Sequence, residues 1–254
     1  MEALILAAGE GKRLRSIAKG PKFKLRIKNI PLIYYPILTL ANIGVKKFTI
    51  VAAEKYYNTA HDVLKKLKER YKILILRNPY PEKGNGYTFL LAEDSISEET
   101  FFISMCDHIY SKEIPQKILE VMVKEDADIV VGADPIPKYV TIEEATKILA
   151  NSDGKVLRIG KEIRKYNYVD IGVFMMKKTV FNRVRQLKSR SYVSFSDIIM
   201  EALNNGCKVV IANIKHSVWT DIDTPDDLME LLKGRRRIVL DKVCSEVYSF
   251  WEEN

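Results

Sequence analysis

The chain has 254 residues, of which 47% are hydrophobic and 29% charged, a balance typical of a globular protein with a full core. No run of 18 apolar residues occurs in the sequence, which argues against a transmembrane helix. The formal net charge of +8 points to an anionic ligand, but it does not separate a nucleotide from a nucleic acid or a membrane surface.

Cysteine content and the N-terminal stretch bear on the cellular compartment. The three cysteines are widely scattered and form no CxxC pair, so we expect neither a disulfide framework nor a zinc site. The first apolar stretch is short, lacks a basic leader and runs into Gly9, which does not fit a signal peptide. We therefore expect a cytoplasmic protein.

The first element, LILAA (4–8), predicts a buried strand that runs straight into a basic glycine loop. Gly9 and Gly11 lack Cβ atoms, so the backbone can approach a ligand closely, and Lys12 and Arg13 would add charge where phosphate oxygens gather. The dinucleotide and P-loop fingerprints do not match. The loop favours a phosphate site over an ordinary strand-to-helix turn without deciding between them.

Apolar runs alternate with helical patterns through the first half of the chain. Four further runs are short and non-alternating, as strands buried on both faces should be: 46–53, 71–77, 100–105 and 127–133. Between them, 30–44 and 60–71 have apolar residues at helical spacing. This alternation predicts an α/β fold with a single doubly wound, mainly parallel, Rossmann-like sheet.

The pattern changes after Asp134. Residues 144–162 predict a two-stranded ribbon that turns at Asn151 to Gly154, and YVDIGVFMM is another apolar strand. A helix follows with Ser196 as its cap and Gly206 as its stop. The strand KVVIANI and a helix that begins near Pro225 close the body.

Carboxylates follow several of these strands. Asp107 follows FFISMC, Asp170 leads into IGVFMM, and Asp221 and Asp223 follow VW. In an open parallel sheet, ligands bind beyond the carboxyl ends of the strands, although single carboxylates there are often caps or turn formers. Because Mg²⁺ prefers one or two carboxylates plus substrate phosphates, one aspartate from each half could hold a metal against a triphosphate.

Several motifs together resemble a known family. LxLAAGxGxRL, PKFKL, the aspartate near 107 and a late WxDxxT resemble the sugar-phosphate nucleotidyltransferase superfamily. Further stretches are similar to the CTP:inositol-1-phosphate cytidylyltransferases, which make CDP-inositol for the solutes of heat-loving organisms. These stretches are PEKGNGY (81–87), SMCDHIYS (104–111), EATKI (144–148), and VDIG (169–172) with VWTDIDT (218–224). One departure is Cys106, where relatives commonly have glycine.

The resemblance implies residue roles. Lys22, Arg13 and Asp107 would be catalytic. Mg²⁺ would be held by Asp107 and Asp221, with Asp223 as the alternative or an outer partner, and the acceptor would meet Thr146, Lys161 and Asp170. The residues expected to bind the nucleotide are Leu6, Ala7, Ala8, Gly9, Gly11, Lys12, Arg13, Glu82, Lys83, Gly84 and Asn85.

The resemblance also implies the reaction and the domain plan. CMP would pass from CTP to inositol 1-phosphate by in-line attack, in a nucleotidyltransferase domain of residues 1–232 whose β-ribbon forms a small acceptor lobe. A hexose 1-phosphate or a phosphocholine-like acceptor, with another NTP, is the alternative. We do not expect nucleic-acid binding, because the lysines are spread over many helices.

The C-terminal tail, 233–254, is basic and amphipathic. Val239 or Leu240, Val243, Val247 and Phe250 or Trp251 recur at helical spacing after GRRR. Such a stripe could dock on the domain itself, or it could make a weak contact with a second copy or a membrane surface, so the sequence leaves the partner open.

Overall fold

The computed structural model describes residues 1–17 and 19–247 of the chain. Its strands are β1 (Glu2–Ala7), β2 (Arg26–Ile27), β3 (Ile30–Pro31), β4 (Lys47–Ala53), β5 (Lys72–Asn78), β6 (Thr100–Met105), β7 (His108–Tyr110), β8 (Ile129–Asp134), β9 (Lys147–Ala150), β10 (Val156–Gly160), β11 (Tyr168–Lys177), β12 (Val209–Asn213) and β13 (Trp219–Asp221). Its α-helices are α1 (Tyr34–Asn42), α2 (Tyr57–Val63), α3 (Gly84–Leu90), α4 (Glu113–Glu125), α5 (Val180–Val184), α6 (Phe195–Asn204), α7 (Pro225–Lys233) and α8 (Arg237–Val247).

A nine-stranded sheet forms the centre of the molecule, in the order β10-β9-β11-β6-β1-β4-β5, with β8 and β12 continuing from β11. Strands β4 and β6 are parallel to β1, β5 is parallel to β4, and β12 is parallel to β8. By contrast, β11 is antiparallel to β6, β8 and β9, and β10 is antiparallel to β9. The predicted mainly parallel, doubly wound α/β fold is confirmed, with β11 as an antiparallel strand inside it.

Alternate residues of β1 enter two hydrophobic cores on opposite faces of the sheet. Ile5 packs in the same core as Phe102, whereas Leu4 packs in the other core with Phe101 and Ile103. Because helices cover both faces, every residue of β1 is buried. This explains why the strand reads as a continuous apolar run.

The β-ribbon of β9 and β10 is where the sequence predicted it, and its turn closes with the Gly154 amide donating to the Asn151 carbonyl at 3.1 Å. The prediction of Ser196 as the cap of the following helix was wrong. Ser194 caps α6, because its hydroxyl accepts from the Asp197 amide while the Asp197 carboxylate accepts from the Ser194 amide. The pattern Ser-x-x-Asp occurs at 194–197, two residues earlier than expected.

The apolar stripe of the C-terminal tail packs on the same domain. Val239, Leu240, Val243 and Val247 of α8 are buried in the core beside α1. The Asn42 side-chain amide donates to a carbonyl of the last turn of α8 at 2.8 Å. The described part of this stripe is therefore not free for a membrane or a second copy, and no break in packing separates 1–232 from the described part of the tail.

Two further expectations concern the tail and the cellular location. Phe250 and Trp251 lie outside the described residues. Among the helices that the structure does describe, none is both long and apolar enough to cross a bilayer. The cytoplasmic location stays a prediction.

Candidate active site

A cavity of about 640 Å³ lies at the carboxyl ends of β1 and β6. Leu6 and Met105, near the ends of those strands, line its floor, and Asp170 of β11 lines its wall. Because β11 runs antiparallel, its amino-terminal half reaches the edge where the parallel strands end. The sheet topology thus brings residues from both halves of the chain to one place.

Lys22 lies at the centre of a carboxylate cluster. Its side chain is only 6% exposed, and its ammonium donates to Asp107 Oδ2 at 2.5 Å and to Asp223 Oδ1. Asp107 lies between β6 and β7, whereas Asp223 follows β13, so these two carboxylates come from distant parts of the sequence. The ammonium joins them into one buried ion network.

The glycine loop makes room for Lys22. Gly11 has a φ of +61°, and a Cβ added there would lie 2.9 Å from the Lys22 Cβ. A side chain at this position would therefore meet both backbone strain and a steric clash. The glycine predicted as part of a phosphate loop also allows the close approach of the lysine.

Burial and charge act against each other in this network. Burial alone would lower the pKa of Lys22, but the carboxylates of Asp107 and Asp223 outweigh it and hold that pKa above its ordinary value. Burial likewise works to raise the pKa of Asp107, and the charges of Lys22 and His108 reverse this and lower it. Lys22 and Asp107 both stay ionised near neutral pH.

His108 supports Asp107 from the other side. Its Nδ1 lies 2.7 Å from Asp107 Oδ1, and its ring stacks on Trp219 with centroids 6.2 Å apart. A Cβ on Gly172 would lie 2.6 Å from the His108 Nε2, so only glycine fits beneath the ring. His108 thus orients the carboxylate and is itself confined between two elements.

Arg13 of the glycine loop bridges two segments across the cavity. Its guanidinium contacts Glu144, and it donates to Asp223 Oδ2 at 2.8 Å. The sequence predicted a phosphate contact for Arg13 but not this pairing with Glu144, which stands in the quoted EATKI motif. The signal that could have revealed this pairing was the EATKI motif itself, which places Glu144 two residues before Thr146, an expected acceptor residue.

The acceptor-side residues lie along one wall of the same cavity. Thr146, Lys161 and Asp170 all line it. The Asp170 amide donates to the Thr146 carbonyl at 2.8 Å, while its carboxylate accepts from the Gly172 amide at 2.8 Å. Burial raises the pKa of Asp170 to about 6, although that hydrogen bond opposes the change.

The residues expected at the nucleotide are spread over two neighbouring cavities. Leu6, Gly9 and Asn85 line the larger one. An adjoining cavity of about 230 Å³ is lined by Ala8, Glu10, Gly11, Lys12, Pro81 and Glu82.

Four of the expected nucleotide residues line neither cavity, and Arg13, described above, is one of them. Ala7 is packed in the core, and the Lys83 ammonium lies 5.0 Å from the ring centroids of Tyr80 and Tyr87. Gly84 packs on Val193, whose carbonyl oxygen would lie 2.4 Å from an added Cβ. A role for Ala7 or Gly84 would therefore come through the backbone.

Among the described residues, no three His, Cys, Asp or Glu side chains form a ready metal site. Within the cavity, Asp107 and Asp223 converge on one cation, the Lys22 ammonium. The first choice from the sequence was Asp107 with Asp221. Instead, Asp221 lies beside Arg236, with 3.9 Å between Oδ1 and Nη1. The geometry thus favours the alternative pair.

Comparison with known proteins gives one consistent result. Residues 2–236 match the family described as Nucleotidyl transferase. The bifunctional IPC transferase and DIPP synthase of Archaeoglobus fulgidus is 35% identical over 228 residues, covering 90% of this chain and 42% of that protein. The protein of the same description from Aquifex aeolicus is 31% identical over 233 residues, covering 91% of this chain and 51% of its own.

A solved structure agrees with these relatives. The inositol-1-phosphate CTP transferase from T. maritima superposes with a TM-score of 0.86 at 30% identity, covering 97% of both chains. The chain spans about half the length of the two bifunctional relatives, at 42% and 51%.

Proposed function

Because the chain belongs to the nucleotidyl transferase family, we propose that it transfers CMP from CTP to inositol 1-phosphate, giving CDP-inositol and pyrophosphate. The observation that carries this proposal is the similarity, over nearly the whole of both chains, to a structure named for that activity. The buried ion network supports it, because transfer of a nucleotidyl group needs positive charge at the α-phosphate. Lys22 supplies one such charge, and the carboxylates of Asp107 and Asp223 could hold a divalent cation that supplies more.

The proposed reaction needs no strong general base. The acceptor phosphate is already ionised at neutral pH, so one of its oxygens can attack the α-phosphorus of CTP as the bond to the β-phosphate oxygen breaks. Pyrophosphate leaves with that electron pair, and no covalent enzyme intermediate forms. Lys22 would stabilise the charge that develops on the α-phosphate, and Arg13 would exchange its contact with Glu144 for the triphosphate.

The carboxylates of Asp107 and Asp223 fit a divalent cation, and we propose Mg²⁺. Both are hard oxygen donors that converge on one positive charge, and substrate phosphates and water would complete the ligand set. When bound, the cation would neutralise phosphate charge. Asp221 would remain beside this pair.

On the acceptor side, we propose that Asp170 accepts hydrogen bonds from ring hydroxyls and that Lys161 pairs with the acceptor phosphate. Asp170 lies on the cavity wall with one carboxylate oxygen held by the Gly172 amide, which leaves the other for a ligand. The base of CTP would lie near Glu82 and Asn85.

The test is pyrophosphate release measured for each of the four NTPs with inositol 1-phosphate, glucose 1-phosphate and phosphocholine, together with identification of the nucleotide product. We expect turnover with CTP and inositol 1-phosphate to exceed every other pair by at least tenfold in kcat/KM. A preference for a hexose 1-phosphate or for phosphocholine would replace the proposed acceptor but keep the reaction class.

A further inference from the structure

Arg236, the second of the three arginines in the GRRR stretch (234–237), is not a surface charge. The residue is 7% exposed, whereas the side chain of its neighbour Arg237 is 62% exposed and pairs with Asp241 within the same helix. Arginine is rarely buried unless it is fully paired. The burial of one arginine in a basic cluster therefore calls for a specific explanation.

The guanidinium of Arg236 is held by groups from three parts of the chain. Nη1 lies 2.8 Å from Asp227 Oδ1 and donates to Thr220 Oγ1 and to the Asp221 carbonyl, both at 3.2 Å. Nη2 donates to Thr141 Oγ1 at 3.2 Å. The side chain thus joins the strand β13, the first turn of α7 and the segment before β9.

Asp227 passes this constraint on to Asp223. The second oxygen of the Asp227 carboxylate accepts from the Asp223 amide at 3.0 Å and from the Thr224 amide at 2.8 Å. Asp223 in turn directs its own carboxylate at Lys22 and Arg13. A continuous set of contacts therefore leads from Arg236 to the buried ion network.

Arg236 also balances charge around this turn. Residues 221–227 include four aspartates, and the Arg236 guanidinium lies 2.8 Å from one of them, Asp227. Without Arg236, the buried Asp227 carboxylate would lose its cation while keeping its amide donors. Repulsion between the Asp227 carboxylate and the other carboxylates of this turn would then displace Asp223.

We infer that Arg236 is a positioning residue: through Asp227 it fixes the turn that presents the Asp223 carboxylate, and through Thr141 it ties that turn to the segment bordering the acceptor wall. The inference rests on the proposed function in one respect, that Asp223 helps to hold the divalent cation. Arg236 itself lies on the far side of Asp227 and contacts no group that would react.

Metal-linked nucleotide binding tests this inference without requiring turnover. The dissociation constant of CTP is measured by calorimetry in excess Mg²⁺ and in EDTA for the wild type, Arg236→Gln, Arg236→Lys and the matched control Arg237→Gln. We expect Mg²⁺ to tighten CTP binding in the wild type, and we define the Mg²⁺ ratio as the dissociation constant in EDTA divided by that in Mg²⁺. Arg236→Gln should reduce this ratio at least fivefold, while its dissociation constant in EDTA changes less than twofold. Arg236→Lys should recover part of the ratio, and Arg237→Gln should behave as the wild type.

Two results would overturn the inference. One is an unchanged Mg²⁺ ratio in Arg236→Gln; the other is weaker binding in both conditions by the same factor with a lower melting temperature, which would give Arg236 a merely structural role. If Arg236→Gln does not fold, Arg236→Lys and Asp227→Asn are judged by the same criteria. A wild type that binds CTP but does not transfer CMP to inositol 1-phosphate would contradict the proposed function and leave this test intact; if another of the four NTPs binds more tightly, that nucleotide is used.

Discussion

At the residue scale, the main outcome is the choice between two aspartates that stand two positions apart. Asp223 and Asp107 share the Lys22 ammonium, whereas Asp221 faces Arg236. In a short extended segment, residues two apart point the same way, so spacing alone could not separate the two. The chain turns directly after β13, and this turn directs the carboxylate of Asp223 toward Lys22.

The first prediction separates these two carboxylates. Asp223→Asn should lower kcat about 100-fold or more, because a carboxylate that would hold the cation loses its charge. Asp221→Asn should cost no more than about tenfold in kcat, and Asp226→Asn, exposed on the first turn of α7, should match the wild type. The measurement is initial-rate kinetics at saturating Mg²⁺. Equal losses in the variants at 221 and 223 would contradict the assignment.

The second prediction concerns the protonation of Asp170, whose pKa burial raises to about 6 from an ordinary 3.8. Between these values the folded state binds more protons than the unfolded state, so this residue makes stability fall as pH rises toward 6. Asp170→Asn should remove this dependence and, at pH 7, raise the free energy of unfolding by up to about 3 kcal/mol. Urea unfolding from pH 4 to pH 7 measures both effects.

The same Asp170→Asn variant should raise KM for inositol 1-phosphate about tenfold or more, since a hydrogen bond to a charged group is lost, with a smaller change in CTP binding. If the free energy of unfolding depends on pH in the same way in the wild type and in Asp170→Asn, this carboxylate does not titrate as described. An equal loss of affinity for both substrates would place Asp170 away from the acceptor.

At the element scale, the glycine loop and the C-terminal helix each have a structural reason that their sequence patterns did not reveal. The glycine loop packs against Lys22, and Arg236, the residue just before α8, lies against Asp227 and the Asp221 carbonyl. Both segments therefore act on the buried ion network through packing as well as through charge.

The third prediction is for Gly11→Ala. A left-handed φ of +61° and a Cβ 2.9 Å from the Lys22 Cβ should together destabilise the fold by about 1 to 2 kcal/mol and lower kcat, since Lys22 must move. Gly9→Ala is the control for stability, because nothing lies within 4 Å of an added Cβ there. Urea unfolding and initial rates measure the two effects. Identical unfolding curves for the two variants would contradict the close approach of loop and lysine.

The fourth prediction tests the docking of α8. Leu240→Ala should lower the free energy of unfolding by about 2 to 5 kcal/mol, because it leaves a cavity in the core. Ile238→Ala, two residues earlier and 53% exposed, should change it by less than about 0.5 kcal/mol. Urea unfolding of both variants makes the comparison. Equal, small effects would mean that the stripe is not packed on the domain.

At the scale of the whole molecule, the chain behaves as one packed unit from β1 to α8. The core that contains Leu4 and the buried ion network both include residues that follow position 190. The other core, which contains Ile5 of β1, also contains the buried side chains of α8. The first half of the sheet therefore depends on the last helix for part of its cover.

The fifth prediction follows from this unity. A chain that ends after Gly234 should melt at a much lower temperature and lose CTP turnover, because it lacks both the α8 stripe and Arg236. Thermal unfolding and pyrophosphate release measure the two losses. Full turnover with an unchanged melting temperature would show that the tail is separate, and binding to anionic vesicles could then be sought.

The sequence by itself determined the α/β class, most strands, the β-ribbon and the identity of the charged residues around the cavity. It could do so because buried parallel strands leave non-alternating apolar runs and because glycines and carboxylates at strand ends are local signals. The family motifs also depended only on local sequence.

Only the tertiary structure decided which charges meet. Lys22 pairs with aspartates 85 and 201 positions away, Arg13 reaches Glu144, and Arg236 is buried while its neighbour Arg237 is exposed. Side-chain partners at such separations depend on sheet order and on the direction of single turns, and neither leaves a periodic pattern in the sequence. The antiparallel direction of β11 could not be predicted from the sequence either, because a strand buried on both faces is an apolar run whichever way it points.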